Sequence, residues 1–105
     1  MVSSMSELLV MARLRVTPGN EDAVASGVAD LVAVAREEPG VAFFAAYRDA
    51  SEPHDILLVE RYVSSAAFEE HLASAHYQRI ALEGILPRLE SRTIETFDAF
   101  SPAEA

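Results

Sequence analysis

Cysteine is absent from this chain of 105 residues. That one absence removes disulfides, thiolate metal sites, iron–sulfur clusters and cysteine nucleophiles together. The glycines number four and stand singly, so no glycine-rich fingerprint for a nucleotide or flavin exists. No HExxH, no paired acidic motif, no facial triad and no GxSxG elbow is present. No apolar run approaches the roughly 20 residues that a membrane-spanning helix needs. The stretch from Met1 to Ser6 lacks the basic region and apolar segment of a secretory signal, so a cytoplasmic protein is expected. Positive charge is also scarce: 8 basic residues face 17 acidic ones, for a formal net charge of −9. Such a field repels phosphate backbones, and the scattered cations form no cluster to offset it. Nucleic acid and membrane are therefore excluded as expected partners.

What is present is hydrophobic material, half of all residues, in a length that suits one domain. The expectation is a single domain over residues 7–100, with flexible ends at 1–6 and 101–105. From Glu7 to Val16 the residues alternate. Leu8, Val10, Ala12, Leu14 and Val16 point one way, and Leu9, Met11, Arg13 and Arg15 point the other, as in a strand. Thr17-Pro18-Gly19 signals a turn, and Asn20 is the expected N-cap of a helix whose first turn carries Glu21 and Asp22. Val24, Val28, Leu31, Val32 and Ala35 then form one apolar stripe. Gly27 within it costs about 1 kcal/mol of helix propensity, which points to close packing there. Glu37-Glu38-Pro39-Gly40 ends the helix.

Val41 to Arg48 and Ile56 to Val63 read as a hairpin of two strands. Ser64 is the expected N-cap of a second helix. Phe68 and Leu72 share one face of that helix, with His71 at its edge. Ser74 is placed to break the helix and to cap a second piece running from Ala75 through Ile80, Ala81 and Ile85. Leu86 to Leu89 is a transition, and Thr93 to Phe100 a last strand. The order is β-α-β-β-α-β, a unit written twice. Two singly striped helices want the same sheet face, which gives a ferredoxin-like α+β sandwich on an antiparallel sheet. The opposite face keeps Leu9, Met11, Phe43 and Tyr47, and a homodimer stacked through that sheet face would cover them.

These pieces resemble a known family. Ala12-Arg13 through Pro18-Gly19, Glu38-Pro39-Gly40, Tyr47-Arg48-Asp49 and Leu58-Val59-Glu60-Arg61-Tyr62 carry the likeness, with Phe68, His71, Ser74, His76 and Tyr77. In order and spacing they are similar to the antibiotic biosynthesis monooxygenase superfamily of dimeric α+β barrels, above all its short quinol-monooxygenase-like members. The resemblance implies a dimer with a pocket between sheet and helices in each half. It also implies oxidation of small phenols or hydroquinones by O2 with no cofactor and no metal. Haem-degrading relatives use an asparagine and a histidine where this chain has Ala12 and Ala81, so haem is not expected. The polar anchors of anthrone oxygenases fall on Leu58, Phe68 and Leu82. Where the family commonly has tryptophan, this chain has Tyr62. The His71/His76 pair of the quinol-type members remains.

His71 is accordingly the expected catalytic base, since an imidazole can take a phenolic proton at working pH. Its plain alternative is a histidine bonded to a backbone carbonyl at the border of the core. Tyr62, Phe68 and Phe44 are candidate walls for a planar ring, and an aromatic at such spacing is as readily core. His76, Glu60 and Arg48 are candidate polar anchors. Glu60 needs a partner if buried, with Arg48 or His71 the expected ones. His71 and His76 stand five residues apart and do not share a helix face, although a kink at Ser74 would rotate one. Two other functions stay open: a non-catalytic dimeric domain, small-molecule-binding or vestigial, which predicts a filled pocket, and an isomerase or lyase acting on a small oxygenated metabolite. The last needs cations, and Arg48 and Arg79 are the main ones offered.

Overall fold

A computed structural model describes residues 6–100 of the chain. The flexible ends expected from the sequence lie, apart from Ser6, outside the described residues. Strand β1 (Leu8–Val16) leads through a tight turn into helix α1 (Glu21–Ala35), and strands β2 (Val41–Arg48) and β3 (Asp55–Tyr62) follow. Helix α2 (Ser65–Ala73), a π-helical segment (Tyr77–Ile85), a 3₁₀ turn (Leu86–Arg88) and strand β4 (Leu89–Asp98) complete it. The four strands form one open antiparallel sheet in the order β2-β3-β1-β4. This is the ferredoxin-like α+β sandwich expected from the alternation.

The inward row of β1, Leu8, Val10, Ala12, Leu14 and Val16, is buried, and so is the α1 stripe of Val24, Val28, Leu31 and Ala35. Ala12, Leu14 and Val16 of that row join the α1 stripe, Phe44, Ile56, Leu58, Ala81 and Ile85 in the main core between helices and sheet. A smaller cluster of Leu8, Val10, Tyr62 and Ala67 sits at the other end, under α2. Gly27 is the close approach anticipated: a methyl added there would stand 3.0 Å from Ile85 Cγ1. The turn before α1 needs Gly19, whose φ of 95° suits glycine alone.

Three local expectations change. Asn20 precedes α1, but its side chain caps nothing. Instead the Glu21 carboxylate accepts from Gly19 N–H at 2.9 Å, and the negative charge there suits the helix N-terminus. Strand β4 begins at Leu89 rather than Thr93, because it pairs with β1 from Leu89 opposite Val16 to Asp98 opposite Leu8, with the register shifting by a bulge between Arg15 and Val16. The piece after Ser74 is mostly π-helical. Its i→i+5 bonding turns Tyr77, Ala81 and Ile85, spaced by four, toward the sheet. Among the described residues no helix is long and apolar enough to cross a membrane.

Candidate functional site

The site begins at the end of α1, where the chain does something unfavourable. Glu37 and Glu38 follow directly on a helix C-terminus, the end that repels negative charge. Glu38 is held in a turn: its N–H donates to Ala35 O at 3.0 Å and its carbonyl accepts from Val41 N–H at 3.1 Å. Gly40 lets that turn press onto α2, since a Cβ there would stand 2.5 Å from the Ala67 Cβ. The contact carries the Glu38 carboxylate under the last turn of α2.

Two serines set what it meets. Ser64 Oγ accepts from Ala67 N–H at 3.2 Å and starts α2. Ser74, in extended conformation, donates through its hydroxyl to His71 O at 2.7 Å and accepts from Tyr77 N–H at 3.2 Å. It closes one helix and opens the next, as its position predicted. The break swings His76 around, so that both imidazoles reach the same carboxylate oxygen. His71 Nδ1 lies 2.8 Å and His76 Nε2 2.6 Å from Glu38 Oε2. An ionised carboxylate only accepts, so each of those nitrogens carries the proton and donates it. The second nitrogen of His71, Nε2, is then an acceptor, with no protein partner among the described residues.

His71 is 1% exposed. Its ring packs at centroid distances of 5.1 Å from Tyr77 and 5.6 Å from both Phe44 and Tyr62. Behind it stands Glu60, 5% exposed, which accepts from Tyr62 Oη–H at 2.6 Å. Burial pushes the Glu60 carboxyl up to about 7; the Tyr62 hydrogen bond opposes this and the Glu38 charge adds to it. Burial, with the charge of Glu60 beside it, holds the Tyr62 hydroxyl well above the ordinary phenol range, so it stays a donor.

These groups border an apolar cavity of about 50 Å³, room for a few water molecules. Val10, Ala12, Leu58 and Glu60 line it from the sheet, and Phe68, His71, Leu72 and Tyr77 from the helices. Its rim includes Arg92 and Ile94 on the exposed edge strand β4. Arg92 Nη1 donates to Tyr77 Oη at 3.3 Å.

Of the residues singled out in the sequence, His71, Glu60 and Phe68 line this cavity. Tyr62 and Phe44 do not: both are buried behind His71 and pack against its ring. Glu60 pairs with Tyr62, two residues along its own strand, rather than with Arg48 or His71. Arg48 is exposed at the far end of β2, beside a shallow groove along α1, and takes no part. His71 bonds a carboxylate, not the backbone carbonyl of its plain reading. The sequence reading missed Glu38 as a site residue, and an acidic residue placed against a helix dipole was the available signal. Arg92 escapes it because the strand expected from the sequence begins at Thr93, whereas β4 begins at Leu89 and includes Arg92. Glu38, His71 and His76 also offer three ligand atoms within 4.8 Å of one another, so positions 71 and 76 do converge.

The sequence profile described as antibiotic biosynthesis monooxygenase matches residues 8–81, from the first residue of β1 into the π-helical segment. The chain belongs to the antibiotic biosynthesis monooxygenase family. Solved structures agree with that fold. Protein SO0527 of Shewanella oneidensis is 26% identical, with 90% of this chain and 92% of that chain aligned at a TM-score of 0.84. Rv0793 of Mycobacterium tuberculosis is 24% identical over 94% of this chain and 100% of that chain, with a TM-score of 0.87. PA3566 of Pseudomonas aeruginosa is 23% identical over 93% and 98% of the two chains, with a TM-score of 0.85. No curated protein matches the sequence. Within this antibiotic biosynthesis monooxygenase fold, the Glu38–His71–His76 cluster and the cavity beside it are the concentration of chemistry.

Proposed function

We propose that this chain is a monooxygenase of a small phenol or hydroquinone, with O2 as oxidant and His71 as base. The observation that carries the reading is His71 itself. One ring nitrogen is fixed on a carboxylate, the other is free to accept, and the ring borders an apolar cavity. Glu38 holds the tautomer that leaves Nε2 basic and stabilises the imidazolium that forms on proton uptake. The resulting phenolate is the electron-rich species that O2 can oxidise without a further reductant. For a phenol, one atom of O2 becomes the new quinone carbonyl oxygen. The other leaves as water with the two hydrogens lost by the substrate, one from oxygen and one from carbon. Phe68 and Leu72 provide an apolar wall, and Arg92 at the rim attracts the anion. Glu60, whose carboxyl titrates near 7, is a second proton acceptor on the same cavity.

The test is oxygen uptake by chelator-treated protein against a panel of phenols and hydroquinones. His71→Ala is expected to lower kcat by about 10²–10⁴-fold, and Glu38→Gln by about 10–100-fold. Uptake unchanged in His71→Ala would remove His71 as the base. The cavity's small size favours a second reading, a vestigial domain without turnover, and silence across the whole panel would select it.

The open sheet supports a homodimer. Its outer face carries Leu9, Met11 and three exposed aromatics, Phe43, Tyr47 and Phe97. A second copy stacked on that face would cover them and make the barrel of the family. Sedimentation should give twice the monomer mass, and Tyr47→Asp should shift it toward one; a monomeric wild type would refute the stacking.

A further inference from the structure

We propose that Glu38, His71 and His76 form a binding site for one divalent transition-metal ion of the Zn²⁺ type. The donor set is two imidazole nitrogens and one carboxylate oxygen, which first-row metals take and which Mg²⁺ and Ca²⁺ do not favour. One ligand atom from each of the three lies within 4.8 Å of the others, and His71 Nδ1 and His76 Nε2 stand 2.8 and 2.6 Å from Glu38 Oε2. A tetrahedral zinc ion about 2.0–2.2 Å from each would hold them roughly 3.3–3.6 Å apart, so side-chain adjustments of about an ångström suffice. The elements that bring them together are fixed independently: Gly40 against Ala67 on one side, the Ser74 break on the other. An entry path exists. The His71 side chain is 2% exposed and lies inside, while those of His76 and Glu38 are 22% and 16% exposed and lead to the surface. Only three protein ligands are supplied, so positions remain for water or a small anion.

The inference goes beyond the proposed oxidation and does not rest on it. It has a consequence for that reaction nonetheless. A metal on His71 Nδ1 forces the ring's remaining proton onto Nε2, turning the free acceptor into a donor. The same goes for His76, whose proton moves to Nδ1. The metal-loaded and base-competent forms of His71 therefore exclude one another, and Zn²⁺ would inhibit oxygen uptake.

The molecule carries its own control. His54 Nδ1 lies 3.0 Å from Glu21 Oε2, an exposed histidine–carboxylate pair outside any three-donor group among the described residues. The experiment is equilibrium dialysis of the chelator-stripped full chain against Zn²⁺, with metal analysis, and titration with Co²⁺ followed by visible absorption. One ion per chain is expected, with a cobalt band that His76→Ala and Glu38→Gln each weaken at least about tenfold in affinity. His54→Ala should leave both readouts unchanged. Circular dichroism of each variant separates loss of a ligand from loss of the fold. Less than one ion per chain, binding that survives in a folded His76→Ala, or binding lost in His54→Ala would each overturn the site. The two proposals fail separately. Zinc bound with no oxygen uptake refutes only the oxidation, and uptake without zinc binding refutes only the metal site.

Discussion

The two halves of this chain repeat one strand–helix–strand plan and use it differently. In the first, α1 runs uninterrupted for 15 residues, buries a single stripe, and gives the site Leu31 on the cavity wall and the carboxylate beyond its end. In the second, the equivalent stretch is cut at Ser74, and its later part winds as a π-helix. That irregularity is where the imidazoles are. A continuous α-helix would place positions 71 and 76 about 140° apart around its axis, and no single carboxylate could meet both. Regularity stabilises one half, and its interruption assembles the chemistry in the other.

The sharpest way to separate the halves is to damage each where it matters. Val24, wholly buried on α1 and away from the cavity, should cost about 2–3 kcal/mol when changed to alanine, through lost burial and the void left behind. Urea unfolding measures the loss, and oxygen uptake per folded molecule should not change. Glu60→Gln should act in the opposite direction. The folded chain keeps the Glu60 proton up to about 7, whereas the carboxyl's ordinary value is 4.5. The associated stability is whole below 4.5 and is lost as pH rises through about 7. Glutamine keeps an acceptor for Tyr62 and removes the titration. At pH 8 it should stabilise the fold by something on the order of 2 kcal/mol, with the advantage shrinking toward pH 4; a variant weaker than wild type at pH 8 would contradict the account.

The caps give the finest contrast. Ser74→Ala removes one hydroxyl that serves two helices and should cost about 1 kcal/mol. It should also loosen His76 from Glu38, seen as altered histidine shifts in NMR spectra. Asn20→Ala, at the matching point before α1, should cost less than about 0.5 kcal/mol, because that side chain caps nothing. Equal losses at the two positions would erase the distinction between the halves.

Much of this was legible in the chain. Alternation over Glu7–Val16 set the faces of β1, and spacings of three and four set the buried stripe of α1. Both periods follow from backbone geometry alone, so they can be read without a partner. Ser64 and Ser74 were readable for the same reason: a cap bonds amides within three residues of itself. His71 stood out as a titratable ring at the edge of an apolar face.

What the tertiary structure decided is which groups meet. Glu38 is 33 residues from His71, and only the packing of Gly40 on Ala67 brings them to 2.8 Å. Glu60 had several conceivable partners in sequence and took Tyr62, because a shared inward strand face put that hydroxyl within 2.6 Å. Tyr62 and Phe44 are aromatic and inward-facing, as a ring platform would be. Neither reaches the cavity, since His71 lies in front of both. The size of the cavity was decided there too, by Phe68, Leu72 and Tyr77 closing over the sheet. Local periodicity fixes elements, because each depends on near neighbours. A site depends on contacts between distant residues, and those exist only once the chain has packed.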